Sequence, residues 1–326
     1  MWPRNILHSG VRDCNNTPMS LISLQDVTHC FGKIRALQNV SLDVPPGAIG
    51  LIGQNGAGKS TLLKILLGLI RPTSGGGTVL GRDIRGSGLA LRACSGYMPE
   101  AESFVPGVRG VDLVALAGEL SGMPRKHALR RAHEVLSYLG LEEARYRKCE
   151  QYSVGMKQRL KLATALVHDP DLLLLDEPTA GLDPEGREAM LSLLRSLAGR
   201  HGKSLILSTH LLGDIDRVCE RVIIIDQGQV LGFGPIGDLR AEYRGRYRLR
   251  WSGDGQAFTK ALEAKCVSVE TNGRPGEVVA EIPESWTTRN LFELSRAHHV
   301  TLREVSPEEE NLEAVYHRLV ETGETS

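Results

Sequence analysis

Apolar positions along the chain follow two alternating patterns. Short uninterrupted runs, Ile49–Ile52, Val79-Leu80, Leu172–Leu175, Leu205–Leu207 and Val222–Ile225, are separated by longer stretches with apolar residues at helical spacing. Runs that are apolar at every position predict strands covered on both faces, as in a parallel sheet. Their alternation with helical text predicts an α/β domain from Leu21 to about Gly237. Val111–Leu120, Lys126–Leu139 and Val154–His168 carry helix-period apolar residues, which predicts a mostly helical insert within that domain, over about 102–168.

After Gly237 the pattern changes. Arg244, Arg246, Arg248 and Arg250 share one face of an expected strand, with Tyr247, Leu249 and Trp251 on the other. The plain reading is a solvated face, the sharper one a patch for nucleic acid or phospholipid. Val278–Ile282 predicts a further strand. A final helix is expected with Ser306 as N-cap, Pro307 at its first position and Glu309 closing a capping box. Leu312, Val315, Tyr316 and Leu319 then form one apolar stripe. Residues 241–326 are thus expected to be a small α+β accessory unit, and 19–240 the main domain. Residues 1–18 are polar and unpatterned, which predicts a disordered extension, or a true start at Met19.

The 326 residues suit two domains. Lys+Arg 39 against Asp+Glu 39 leaves no net charge, so no nucleic-acid partner is expected. No apolar run reaches the roughly 18 to 20 residues of a membrane span, and the first residues lack the apolar stretch of a secretory signal. The six cysteines are scattered with no C-x-x-C pair, which suits reduced thiols and a cytoplasmic chain. Cys149 and Cys219 read as packing thiols. His298-His299 has no acid or thiol at ligand spacing and reads as a solvent-facing pair.

Chemistry enters at Gly53-Gln54-Asn55-Gly56-Ala57-Gly58-Lys59-Ser60, which matches G-x-x-x-x-G-K-[ST] between an expected strand and helix. A loop that wraps a polyphosphate must turn backbone N–H groups inward, and side chains at Gly56 and Gly58 would obstruct it. Lys59 then supplies a point charge to the terminal phosphates, and the Ser60 hydroxyl can bind Mg2+. Such a site needs a carboxylate at the end of a buried strand. Leu172–Leu175 followed by Asp176-Glu177 fits, with Asp176 for the metal and Glu177 as general base for the attacking water.

Further stretches in this order resemble the ATP-binding cassette (ABC) family, in particular the stand-alone ATPase subunits of ABC-2 type exporters. Gly53–Ser60 with Thr61 is similar to its phosphate loop, Tyr152–Arg159 to its signature, Leu172–Pro178 to its second nucleotide motif, Ala180–Asp183 to its D-loop and Ser208–His210 to its switch. The resemblance implies a P-loop fold with a mostly parallel sheet and a helical subdomain, ATP and Mg2+ as ligands, and Phe31 stacked on adenine. It also implies a second cassette whose Ser153 and Gly155 close on ATP held by the first, with His210 on the γ-phosphate and Asp183 at the interface. Independently, Ser153 and Gly155 open an expected helix whose free N–H groups form an anion site, and Asp183 is placed to cap the helix begun by Pro184.

Two residues depart from the family pattern. Glu100 stands where a glutamine is usual and is expected near the metal, and Val154 stands where the signature has a small residue. The function so implied is ATP hydrolysis that drives a separate transmembrane permease, docked at Tyr97–Val111 and sensitive to charge at Glu100 and Glu102. The alternative is a soluble ABC-type ATPase acting on ribosome or nucleic acid, against which stand the single cassette and the lack of sustained heptads.

Overall fold

The computed structural model describes residues 20–86, 88–101, 104–199, 201–241, 246–253, 255–271, 276–283, 285–307 and 312–323. The expected extension over 1–18, Met19, Glu102, Arg244 and Glu309 lie outside the described residues.

In chain order the first elements are β1 (Ile22–Phe31), β2 (Ile34–Val44), β3 (Ala48–Ile52), α1 (Lys59–Leu66), β4 (Ser74–Val79), β5 (Arg82–Asp83), α2 (Gly88–Cys94) and β6 (Ser95–Met98). Then come α3 (Gly110–Leu120), α4 (Arg125–Tyr138), α5 (Val154–Leu166), β7 (Leu172–Asp176), α6 (Pro184–Gly199), β8 (Ser204–Ser208), α7 (Leu212–Val218), β9 (Arg221–Asp226), β10 (Gln229–Pro235) and α8 (Ile236–Ala241). The tail adds β11 (Arg246–Ser252), α9 (Gln256–Lys265), β12 (Ser268–Glu270), β13 (Glu277–Glu281), α10 (Thr288–Ala297), β14 (Thr301–Pro307) and α11 (Leu312–Gly323).

A six-stranded sheet in the order β10-β9-β3-β8-β7-β6 organises the main domain. From β9 to β6 every pairing is parallel, and only β10 runs antiparallel. Apolar residues at successive positions serve opposite faces: Leu173, Leu175, Leu205 and Leu207 enter one cluster with α3–α7. Leu172, Leu174 and Ile206 enter another with α1, β1 and β2. That division is why these strands carry no polar alternation. The expected helical insert is present as α3, α4 and α5, between β6 and β7.

Val79-Leu80 departs from the expected parallel sheet. β4 belongs to a second, four-stranded antiparallel sheet, β2-β1-β4-β5, with Val79 opposite Ile22. The glycine run before it allows a close approach to β1: at Gly77 a Cβ would stand 2.1 Å from the Ser23 carbonyl oxygen. Leu80 adopts φ 51 and leaves the strand in a turn.

In the tail, β12-β13-β11-β14 form an antiparallel sheet with α9 and α10 as crossovers, a β-α-β-β-α-β arrangement. Leu249, Phe258, Leu262, Val278, Ala280 and Leu291 make its own core, with Trp251 edge-on to Phe258 at 5.2 Å between ring centres. The arginine face is matched by acids on the other strands of the sheet: Arg246 to Glu270 at 2.7 Å, and Arg250 to Glu277 at 3.5 Å and Glu304 at 3.3 Å.

Ser306 and Pro307 do not open a helix. They end β14, where Ser306 pairs with Arg248 and Pro307 with Tyr247. Val305 beside them packs against the tail core, so ladder pairing and burial together outweigh the local capping signal. α11 leaves this unit: Leu312, Val315 and Tyr316 join the cluster of the main domain.

Candidate functional site

The phosphate loop follows β3 directly, and α1 begins at Lys59. Gly56 and Gly58 have φ 87 and 106, values that exclude most side chains. The two glycines serve differently. A Cβ on Gly58 would meet the Ala36 carbonyl oxygen at 2.7 Å, whereas one on Gly56 would meet nothing within 4 Å, so conformation alone requires Gly56. The loop is thereby seated against β2.

Lys59 is buried and its Nζ donates to the carbonyls of Gly53 (2.6 Å) and Gln54 (3.0 Å). Burial lowers its pKa, while the charges of Glu177, Asp176 and Glu100 oppose that shift. Ser60 Oγ donates to Asp176 Oδ2 at 3.1 Å, joining the start of α1 to the end of β7.

Glu177 takes φ 49, the left-handed region that a side chain of this size seldom occupies. Its N–H donates to the Ser208 carbonyl at 2.8 Å. The carboxylate turns toward the end of β8: Oε2 accepts from Thr209 Oγ1 at 3.2 Å, and Oε1 accepts from the His210 N–H at 3.0 Å. His210 Nδ1 lies 2.9 Å from the same Oε1. A buried carboxylate and an exposed imidazole are thus paired at the edge of one cavity.

That cavity, about 480 Å3, is lined by Gln54, Asn55, Gly56, Gly58, Lys59, Ser60, Thr61, Glu100, Asp176 and Glu177, and by Ile34, Arg35, Ala36, Gln38 and Gln227. Gly53 and Ala57 are buried behind it in the loop. Tyr97 lies nearby, its hydroxyl pushed up to about 12 by burial and by Asp176 and Glu100.

Phe31 stands outside the lining: it is half exposed at the end of β1, edge-on to His29 at 4.5 Å. Its cross-strand partner, Ile34, lines the cavity instead. Ser153, Gly155 and Asp183 belong to a second surface. Ser153 Oγ accepts from the Met156 N–H at 3.3 Å as N-cap of α5, and Asp183 Oδ1 accepts from the Gly186 N–H at 3.1 Å as cap of α6. Val154 is exposed there beside Gly181.

Motif reading missed the residues that brace these loops. Asp214, fully buried, accepts from Thr179 Oγ1 at 2.6 Å and from Arg187 Nε at 2.6 Å. Gln158 Nε2 on α5 donates to the Ala180 carbonyl at 2.8 Å. Lys161 Nζ donates to the carbonyls of Pro99 (2.7 Å) and Glu100 (2.9 Å), which fixes the backbone that carries Glu100. Lys161, a charge followed by the mostly apolar stretch Leu162–Leu166 of α5, was the one available signal; Asp214 lies in the polar α7 and gave none.

Comparison with known proteins agrees with this geometry. The ABC transporter family model matches residues 37–180. The linearmycin resistance ATP-binding protein LnrL of Bacillus subtilis (strain 168) is 32% identical over 94% of this chain and 99% of its own length. The daunorubicin/doxorubicin resistance ATP-binding protein DrrA of Streptomyces peucetius is 32% identical over 93% of both chains. Among solved structures, the bacterial ABC transporter cassette MJ0796, in a dimeric post-hydrolysis state with ADP and Pi, superposes with a TM-score of 0.61 at 28% identity. It covers 66% of this chain and 98% of that one. The chain belongs to the ABC transporter family, as an ATP-binding and ATP-hydrolysing member.

Proposed function

We propose that this protein is the energy-coupling subunit of an ABC-2 type exporter. Two cassettes close on ATP and reopen on hydrolysis, and that cycle drives a separate transmembrane permease. The observation that carries the reading is one cavity lined by the phosphate loop, the Ser60–Asp176 pair and Glu177, whose partner His210 bonds it from beside the lining. The resistance-type relatives supply the export direction. In this reading the permease is a separate polypeptide; among the described residues no helix is long and apolar enough to cross a membrane. In this reading the chain sits at the inner face of the cell membrane, held there by the permease. The cassette spans 19–240 with its helical subdomain over about 102–168, and 241–326 is the accessory domain, whose last helix, α11, packs on the cassette.

In this reading Gly53–Thr61 hold the phosphates and Lys59 moves from the Gly53 and Gln54 carbonyls to the terminal phosphates. A hydroxyl and a carboxylate 3.1 Å apart are a hard oxygen pair that fits Mg2+, an ion that keeps most of its shell as water and phosphate. Ser60 and Asp176 would hold it, with Glu100 from β6's end, and when bound it neutralises charge on the phosphate oxygens. Glu177 orients the attacking water and accepts its proton, which requires His210 to leave Oε1 for the γ-phosphate. Ser153 and Gly155 of a second copy seal the ATP, and Asp183 lies on that interface. Phe31 stacks on adenine once it moves from His29.

A Glu177→Gln variant tests both steps. Turnover should fall by roughly 10²–10⁴, and the variant should sediment as a dimer in saturating Mg·ATP. A variant that stays monomeric under those conditions, even with its permease present, would end the proposal.

A further inference from the structure

The loop that follows β6 is held by α5. β6 ends at Met98, which pairs with Leu175, so the chain leaves the sheet beside Asp176 at the end of β7. Pro99 has no N–H with which to extend that ladder. The carbonyls of Pro99 and Glu100 turn instead to α5, where Lys161 Nζ donates to both, at 2.7 and 2.9 Å. Lys161 is only 3% exposed, and a buried ammonium has to be met by hydrogen bonds of this kind. One turn earlier on α5, Lys157 Nζ lies over the Phe104 ring at 5.9 Å, so the same helix grips the loop a second time.

We propose that Lys161 is a positioning residue for the metal: it fixes the backbone of Glu100 so that this carboxylate stands in the nucleotide cavity with Ser60 and Asp176. The two carbonyls belong to the peptide units on either side of the Glu100 Cα. Peptide units are planar, so holding both of them sets the direction of the Cα–Cβ bond between them. Glu100 is exposed and lines the cavity, yet no hydrogen bond among the described residues holds its carboxylate. Its main chain therefore sets where that charge lies, and Lys161 anchors the main chain. An ammonium suits the task because its three donors radiate from one point, which two carbonyls can share. Lys161 does not itself line the cavity. It acts on the metal through Glu100.

The proposal rests on the assignment of Ser60, Asp176 and Glu100 to Mg2+, and one titration of the full-length chain tests the two separately. Mn2+ replaces Mg2+, and its binding is followed by electron paramagnetic resonance with a non-hydrolysable ATP analogue present. Lys161→Met keeps an unbranched apolar stem and removes the donor. Mn2+ affinity should fall about tenfold, the scale for a group that orients a metal ligand. Binding of the analogue without metal should stay within about twofold, as for independent sites, which a general loosening of the fold would not allow. Glu100→Ala should weaken Mn2+ to a similar degree. Adding Lys161→Met to it should change the affinity by less than about twofold, since both act through one carboxylate. Lys161→Gln, whose shorter amide still donates, should shift the affinity the same way by less, and answers in place of a Met variant that does not fold. Mn2+ affinity unchanged in the Lys161 variants or in Glu100→Ala, or losses that simply add in the double variant, would overturn the positioning role. Mn2+ affinity indifferent to Asp176→Asn would instead overturn the metal assignment itself.

Discussion

The main domain and the tail unit are both sheets covered by helices, yet they bury different things. The tail core is an apolar cluster from Leu249 to Val300, with Glu277 and Ser295 the buried polar residues among those described there, and the ion pairs of its β11 arginines lie on the sheet's other face. In the main domain Lys59, Asp176, Glu177, Thr179, Ser208, Thr209 and Asp214 are all buried, most of them at the ends of β7 and β8. The strained backbone of Glu177 is there too. Buried charge and a left-handed glutamate each work against folding. They persist where the surrounding hydrogen bonds fix them, and they mark the end of the sheet to which the proposed phosphate chemistry is assigned. The tail, built by the same packing rules, has no such concentration among the described residues.

That contrast can be broken most forcefully at Asp214. Its carboxylate is fully buried and holds both Thr179, at the turn after Glu177, and Arg187 on α6. Asp214→Ala leaves a hydroxyl and a guanidinium unpaired and should cost about 3–5 kcal/mol in a denaturant titration. ATP turnover should fall with it, because Thr179 and the D-loop lose their brace. A loss under about 1 kcal/mol would mean that the buried polar network is not what fixes these loops.

The tail counterpart is Leu249, fully buried in the centre of β11. Leu249→Ala should destabilise by about 2–5 kcal/mol, the range for a truncated core leucine. The transition of the tail, followed by Trp251 fluorescence, should move while the Ser60–Asp176 and Glu177–His210 pairs remain. If the two variants shifted a single joint transition equally, the units would be one cooperative body, not two.

How far the sequence revealed all this follows the same division. Gly53–Ser60, Asp176-Glu177 and His210, which the structure gathers at one end of the sheet, stood out because the chemistry proposed for them demands particular residue types at short, fixed spacings. Strands β3, β7, β8 and β9 were legible because double-sided burial removes polar residues from them. Val79-Leu80 misled because its run is apolar for a different reason: Val79 is buried opposite Ile22 in an antiparallel ladder. Ser306-Pro307 misled because a capping signal is local and worth about 1 kcal/mol, while partners on β11, more than 50 residues earlier, decide β14. Asp214 carried no motif. Its partners are contributed by distant elements, and only the tertiary structure brings Thr179 and Arg187 to it.

The smallest effect sharpens the comparison through charge chemistry that is alike in kind. Arg187–Asp214 and Arg250–Glu304 are both arginine–carboxylate pairs, at 2.6 and 3.3 Å. In the second, Arg250 is 54% and Glu304 41% exposed. Water already solvates both groups, so their attraction is weak, and holding two long side chains together has an entropic cost. Glu277, also beside Arg250 at 3.5 Å, keeps that guanidinium paired when Glu304 is changed. Glu304→Gln should therefore shift stability by less than about 1 kcal/mol, and less still at high salt. The amide retains the strand geometry and an acceptor for Ser306 Oγ, which bonds Glu304 at 3.2 Å. A loss comparable to that of Asp214→Ala would show that the arginine face of the tail is desolvated in the working protein, covered by something that excludes water from it.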